Sequence, residues 1–309
     1  MDKTTIITTA ILVTWICIIV TLERFFPYTK GVKFFRKGFW LDMVWYTFIQ
    51  SFFLSILINS YIIAPLKVKF NYEGTVLSHW PIWALVLLFL FVHDFYIYWF
   101  HRLQHHNKLL WRTHEAHHSN KEVDWLAGSR SHILEIIINQ TIEFAPIVLL
   151  LDVKTAAIVV PIKALLDAVW GIWIHANIDV HSGKLQYIIN GPEMHQWHHS
   201  DHQEVFYSNY GTKFAFWDWI FGTMFIPGLH PKEYKIMKPD KFGLPYDFPQ
   251  DYFMQHWFAF HRFDVKKIEA IPLVKTYIDW KKPVLRLFKK EEEETNPIAD
   301  PSPNTQTTK

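Results

Sequence analysis

The chain has 309 residues, half of them hydrophobic, 17% aromatic and 19% charged, against a typical charged share of ~25%. That balance, with a formal net charge of +2, excludes a disordered polymer and a nucleic-acid binder held by charge. A single cysteine, Cys17, excludes an intrachain disulfide and a thiolate metal site, while eighteen histidines are the outlying number.

Residues 5–22 are apolar, uncharged and just long enough to cross a ~30 Å hydrocarbon layer as a helix. Asp2 and Lys3 precede them and no small-residue cleavage site comes before Glu23-Arg24, so a retained span is expected rather than a signal peptide. Residues 44–63 form a second uncharged run, and 80–100 a third, interrupted by His93 and Asp94. Residues 133–151 carry Glu135 and Glu143. Residues 155–174 carry Lys163 and Asp167 at a spacing that pairs on one helix face. These last two either cross fully or form a hairpin that dips in and returns. Basic residues crowd the 23–39 connection and the segment after residue 100, and are sparse in 65–79. By the positive-inside rule the N-terminus lies outside and the histidines lie on the cytoplasmic side. The expected fold is therefore all-α: a multi-span helical membrane protein with a cytoplasmic helical cap holding a histidine-rich dimetal site. Residues 1–288 form one membrane-embedded domain, and 289–309 form a disordered polar tail.

The unit His-x-x-His-His occurs twice, as His114, His117, His118 and as His195, His198, His199, and His101 with His105 adds His-x3-His. On a helix these spacings put imidazoles on one face, whereas adjacent histidines diverge by ~100°, so each His-His pair can serve two ions. Eight histidines oversupply one zinc, which takes three or four protein ligands, and suit two metals. Imidazole alone does not name the metal. His79, His230, His256 and His261 read as solvated. His93, deeper in the membrane, and His106 are not assigned as ligands, and neither are His181 and His202.

The order of these elements resembles the fatty acid hydroxylase/sterol desaturase superfamily of integral-membrane non-haem di-iron enzymes. Asp94-Phe95 and Tyr98-Trp99-Phe100-His101-Arg102 resemble the segment leading into its first histidine box. Arg130-Ser131-His132-Ile133-Leu134-Glu135 is similar to its Arg-x-His-Pro-x-Glu stretch, with Ile in place of Pro. Trp173-Ile174-His175-Ala176-Asn177, Asn209-Tyr210-Gly211 and the run from Trp217 to Thr223 match its later signatures. The resemblance covers roughly residues 90–226. It implies metal ligation by His101, His105, His114, His117, His118, His175, His195, His198 and His199, with His132, Asn209 and Tyr210 as outer-sphere partners. It also implies two iron ions, for which zinc can substitute in purified protein, and O2-dependent hydroxylation of a lipid. Desaturation is an alternative outcome on the same site, as is pterin-dependent ether-lipid oxidation in an alkylglycerol monooxygenase-like branch. Electrons are expected from a separate donor, a small redox protein or a reduced pterin, because the sequence shows no haem, flavin or iron–sulfur module. The rival from another class is a membrane metal transporter, which needs ligands near the bilayer midplane. Here the histidines gather at the ends of the spans.

Overall fold

The computed structural model describes residues 3–70, 74–229 and 236–275. His230 and the expected tail 289–309 lie outside the described residues. In chain order the first six helices are α1 (Lys3–Phe25), α2 (Leu41–Lys69), α3 (Ile82–His106), the short α4 (Lys108–His114), α5 (Ile133–Leu150) and α6 (Val153–His175). The polar part that follows carries α7 (Pro192–His198), α8 (Phe216–Ile220) and α9 (Tyr252–Phe260). Apart from three isolated β-bridges, the regular structure among the described residues is helical. Contacts divide the chain into two units, residues 1–261 and 262–309. In the second, α10 (Val265–Ala270) starts where Asp264 Oδ1 accepts from the Lys267 amide at 3.1 Å.

Five of these helices, all but α4 among the first six, are long and apolar enough to cross a membrane, which marks an integral membrane protein. All five expected spans are present with shifted ends, and the two weakest by charge, α5 and α6, are full-length helices. The surface fits the same reading. Ile7, Ile11 and Ile18 on α1, Phe48, Phe52 and Phe53 on α2, and Trp83, Leu87 and Phe91 on α3 all face outward. Helix α1 buries only Ile19 and Glu23 and leans on α6, where the Trp15 indole donates to the Val169 carbonyl at 3.0 Å.

Leu85, Phe89 and Leu90 of α3 pack with Ile147 of α5 and Val159 of α6. In a bilayer these contacts stabilise through close packing rather than removal from water. Helix α2 contains two wide, π-type stretches, Leu41–Gln50 and Asn59–Ile63. The Ser51 hydroxyl donates back to the Tyr46 carbonyl five residues earlier, at 2.9 Å. The junction of α3 and α4 is a single residue, Asn107, whose backbone is extended and whose Oδ1 accepts from the Leu109 and Leu110 amides. That cap ends one helix and starts the next, so His101 and His105 are folded back toward His114.

An ion network fixes the loop beyond α4. Arg36 Nη2 reaches Asp42 at 2.8 Å and Asp124 at 2.7 Å, and Arg130 Nε binds the same Asp42. Arg36 and Arg130, which enter the topology argument as loop charges, are buried. Their burial works only because the carboxylates pair them.

Candidate metal centre

All nine candidate ligands are buried, and they converge in two groups. His101 and His105 from α3, His114 from the end of α4, His118, and His198 from α7 bring one nitrogen each within 4.8 Å of one another. His117, His175 from the end of α6, His195 from α7, and His199 form the second group on the same criterion. The first His-x-x-His-His unit is not one helix, as its spacing suggests. His114 closes α4, and His117 and His118 sit in a following 3₁₀ turn. In the second unit α7 starts with Pro192 at its first turn and ends at His198, leaving His199 as its cap residue. Both His-His pairs split, one ring to each group. The groups adjoin: the His118 and His199 rings lie 4.6 Å apart.

The outer nitrogens are tied down. His101 Nδ1 donates to the Tyr210 carbonyl at 2.9 Å, His117 Nδ1 to the Arg130 carbonyl at 3.0 Å, His175 Nδ1 to the Gly171 carbonyl at 2.7 Å, and His198 Nδ1 to the Ser208 carbonyl at 2.8 Å. His114 Nδ1 meets the buried carboxylate of Glu135 at 3.0 Å. A carbonyl accepts only from a protonated Nδ1, so the Nε2 atoms of these rings carry lone pairs. Inside the first group Nε2 of His101, His114, His118 and His198 is buried without a hydrogen-bond partner. In the second, His175 Nε2 stands 3.3 Å from His117 Nε2 and 2.9 Å from His195 Nε2. With Nδ1 of both rings donating to carbonyls, the His117 and His175 Nε2 lone pairs face each other, a crowding that a shared cation would relieve. Burial agrees, since it pushes His114 and His117 down to about 3 and His118, His195, His198 and His199 well below the usual imidazole range. Neutral imidazole is the form that binds metal.

The loop 208–218 explains the other signatures. Asn209 takes a left-handed backbone (φ 57°), and its side chain bonds the Met194 and Phe225 carbonyls and the Phe225 amide. Asp218 accepts from the Tyr210 and Gly211 amides at 2.8 and 2.7 Å. Asp94 accepts from Thr212, Lys213, Phe214 and Trp217. Together they present the Ser208 and Tyr210 carbonyls to His198 and His101. Tyr210 thus meets the imidazoles with its carbonyl on His101 and its ring 5.3 Å from His105, whereas Asn209 acts by holding the loop. His132 turns elsewhere: its Nδ1 accepts from the Leu134 amide and caps α5, and its ring packs on His256, 4.6 Å away. His256 corrects the solvated reading, because its Nε2 accepts from the Ile133 amide at 3.2 Å. His79 and His261 are exposed as expected, and His106 stacks on Tyr207.

Sequence reasoning gave no role to two residues. One is Glu135, although it closes a quoted motif. The other is Gly128, where a Cβ would come within 2.5 Å of His175 Nδ1. Glu115 stands three residues before His118, the spacing of carboxylate-bridged sites. Its Oε1 instead accepts from the Tyr246 hydroxyl at 2.6 Å, and neither group includes it.

These features define a class: a membrane protein with a buried, all-imidazole cluster at the ends of its spans, in two adjacent groups that could each hold a metal ion. Comparison with known proteins points the same way. Residues 86–223, which hold all nine histidines, match the fatty acid hydroxylase family, in support of the fatty acid hydroxylase/sterol desaturase superfamily that the motifs resemble. It is 31% identical over 172 residues to human alkylglycerol monooxygenase, covering 56% of this chain and 36% of that protein. It is 28% identical over 222 residues to an ornithine lipid hydroxylase from Rhizobium tropici, covering 69% and 65%. It is 32% identical over 134 residues to rat methylsterol monooxygenase 1, covering 43% of each. The match thus spans between about a third and two thirds of these relatives' lengths. No solved structure gives a significant match.

Proposed function

We propose that this protein is a membrane-bound di-iron oxygenase that hydroxylates a lipid C–H bond with O2 and electrons from a separate donor. The observation that carries the reading is the pair of adjacent, fully buried imidazole groups whose Nε2 atoms face inward. Relatives named as lipid hydroxylases and monooxygenases supply the reaction class. His101, His105, His114, His118 and His198 would hold one iron and His117, His175, His195 and His199 the other. Two irons supply the redox chemistry that attack on an unactivated C–H bond requires, and zinc does not.

The chain's own residues orient and shield. The Tyr210, Ser208, Arg130 and Gly171 carbonyls and the Glu135 carboxylate fix the tautomer of five rings and make Nε2 the free donor. A cavity of about 420 Å³ meets His101, His114, His117, His175 and His195 from the side of α3, α5 and α6, and is the route for the lipid. A second hollow, of about 380 Å³, reaches His118 between Trp111, Phe206 and Tyr246, and is the approach for the reductant. The basic loops support a cytoplasmic position for this face. The transporter alternative is disfavoured because the ligands sit at helix ends, and because the one acidic cluster within the spans surrounds the Lys163 ammonium.

The test is lipid analysis of cells with and without the protein under 18O2, paired with metal counting. One 18O-labelled lipid and about two irons per chain are expected, and His198→Ala should abolish the product while the protein still inserts and folds. A reproducible count of one or no metal, or an active His198→Ala variant, overturns the assignment.

A further inference from the structure

Eight positions separate His93 from His101 on α3, Glu135 from Glu143 on α5, and Asp167 from His175 on α6. That is about 12 Å along each axis. Three helices around one cavity therefore each carry a polar group at the level of the metal centre and another about two turns into the membrane. The cavity joins the two levels. Its lining mixes four large apolar side chains, Ile97, Phe100, Trp170 and Ile174, with polar side chains at both levels.

At the deeper level Lys163 is completely enclosed, and its Nζ meets His93 Nδ1 at 3.1 Å, Glu143 at 2.8 Å and Asp167 at 2.5 Å. His93, Glu143 and Asp167 have cation-site spacing, and this ammonium already fills the position of the cation. Lys213 Nζ takes the other oxygen of Asp167 at 2.5 Å. With all three Lys163 donors spent, 12% of the Glu143 side chain and 18% of Asp167 stay open beside 10% of Lys213, against none of Lys163, so the carboxylates are the more open charges of the floor. His93 and Trp170 also line this space, and their Nε2–H and Nε1–H are buried donors without a partner, which the phosphate or ester oxygens of a headgroup, not its ammonium, would accept. Bare hydrocarbon laid here would strand such groups at ~1–3 kcal/mol each. Ionisable groups at this depth are also too costly to persist without a use.

We propose that the cavity admits the polar end of a lipid, and that Glu143 and Asp167 select a headgroup bearing a primary ammonium. This rests on the lipid-oxygenase reading and names its substrate class. The ~12 Å between the levels places the oxidised carbon within about ten bonds of that nitrogen.

Binding is measured by calorimetry on the zinc-loaded full chain in detergent, where turnover is excluded. The probes are dihexanoyl phosphatidylethanolamine, phosphatidylcholine, phosphatidylglycerol and dihexanoylglycerol. Phosphatidylethanolamine should bind at least tenfold tighter than the other three, phosphatidylcholine losing because its quaternary nitrogen has no N–H. Glu143→Gln and Asp167→Asn should each erase about tenfold of that preference while leaving zinc content and dihexanoylglycerol affinity unchanged. Equal affinities across the headgroups in the unaltered protein overturn the proposal without recourse to variants, and so does a uniform loss for all four lipids in both variants. Selective ammonium binding without any 18O product would sink the oxygenase reading alone, and a labelled product without headgroup preference would sink this one alone.

Discussion

Glu135 offers the sharpest handle on the two metal groups, because it is the one side-chain carboxylate that orients a candidate ligand. Its Oε1 lies 3.0 Å from His114 Nδ1, with both side chains at least nine-tenths buried. Glu135→Gln keeps the shape and an accepting oxygen but removes the charge that makes His114 more basic. Outer-sphere changes of this kind cost 10–100-fold in metal affinity, or about 1.4–2.7 kcal/mol. The glutamine should fall near the lower bound. Glu135→Ala should exceed it, since it also strands a buried Nδ1–H at ~1–3 kcal/mol. His117 and His175 of the second group are oriented by the Arg130 and Gly171 carbonyls, which the change does not touch. Dialysis against graded chelator, read by elemental analysis, should therefore show the variant losing one metal at roughly tenfold lower chelator while the second tracks the unaltered protein. Simultaneous loss of both, or a curve identical to the unaltered protein, would refute the reasoning.

The opposite selectivity is expected of Gly128→Ala. Its methyl would press on the His175 ring, so metal should fall toward one per chain with the first group retained, and two tightly held metals would contradict that. Asp42→Ala strips the shared partner from two buried guanidinium groups and should cost about 3–5 kcal/mol, seen as a lower midpoint of thermal unfolding of the metal-loaded protein. In metal-free protein, His114 and His117 titrate near 3 when folded against an ordinary 6.5. Lowered folded-state values mean stability that is complete above about pH 6.5 and drains as pH falls toward 3. At pH 5 each ring should favour unfolding by about 2 kcal/mol, and a midpoint flat from pH 7 to 5 would count against it. Outer-face labelling should reach the N-terminus and loop 65–79 but not residues 175–202, and the reverse pattern would invert the topology.

Much of this was legible because period and spacing are local properties. Uncharged runs marked the spans, and His-x3-His and His-x-x-His-His marked nearly every imidazole that converges. The split of each His-His pair followed from the helical angle alone, even though the first unit is a helix end plus a 3₁₀ turn. His175 came from the family resemblance; a lone histidine closing a span has no pattern of its own. The partners in space were not legible. Glu135 reads as an awkward charge in an apolar run until α5 is set against α4, and Gly128 is silent until the His175 ring lies over it. His256 looks solvated until α9 is seen to cap α5. Arg36 and Arg130 count as loop charges until Asp42 encloses them.

The interleaving of the boxes has a consequence for biogenesis. The first group draws on His101 and is complete only with His198, and the second is complete only with His199. Neither group can be completed on a nascent chain until α7 has emerged, by which point all five candidate spans among the described residues have been synthesised. Synthesis of these spans would therefore precede any metal loading, and a ribosome stalled before residue 198 is expected to leave a precursor without either complete histidine group.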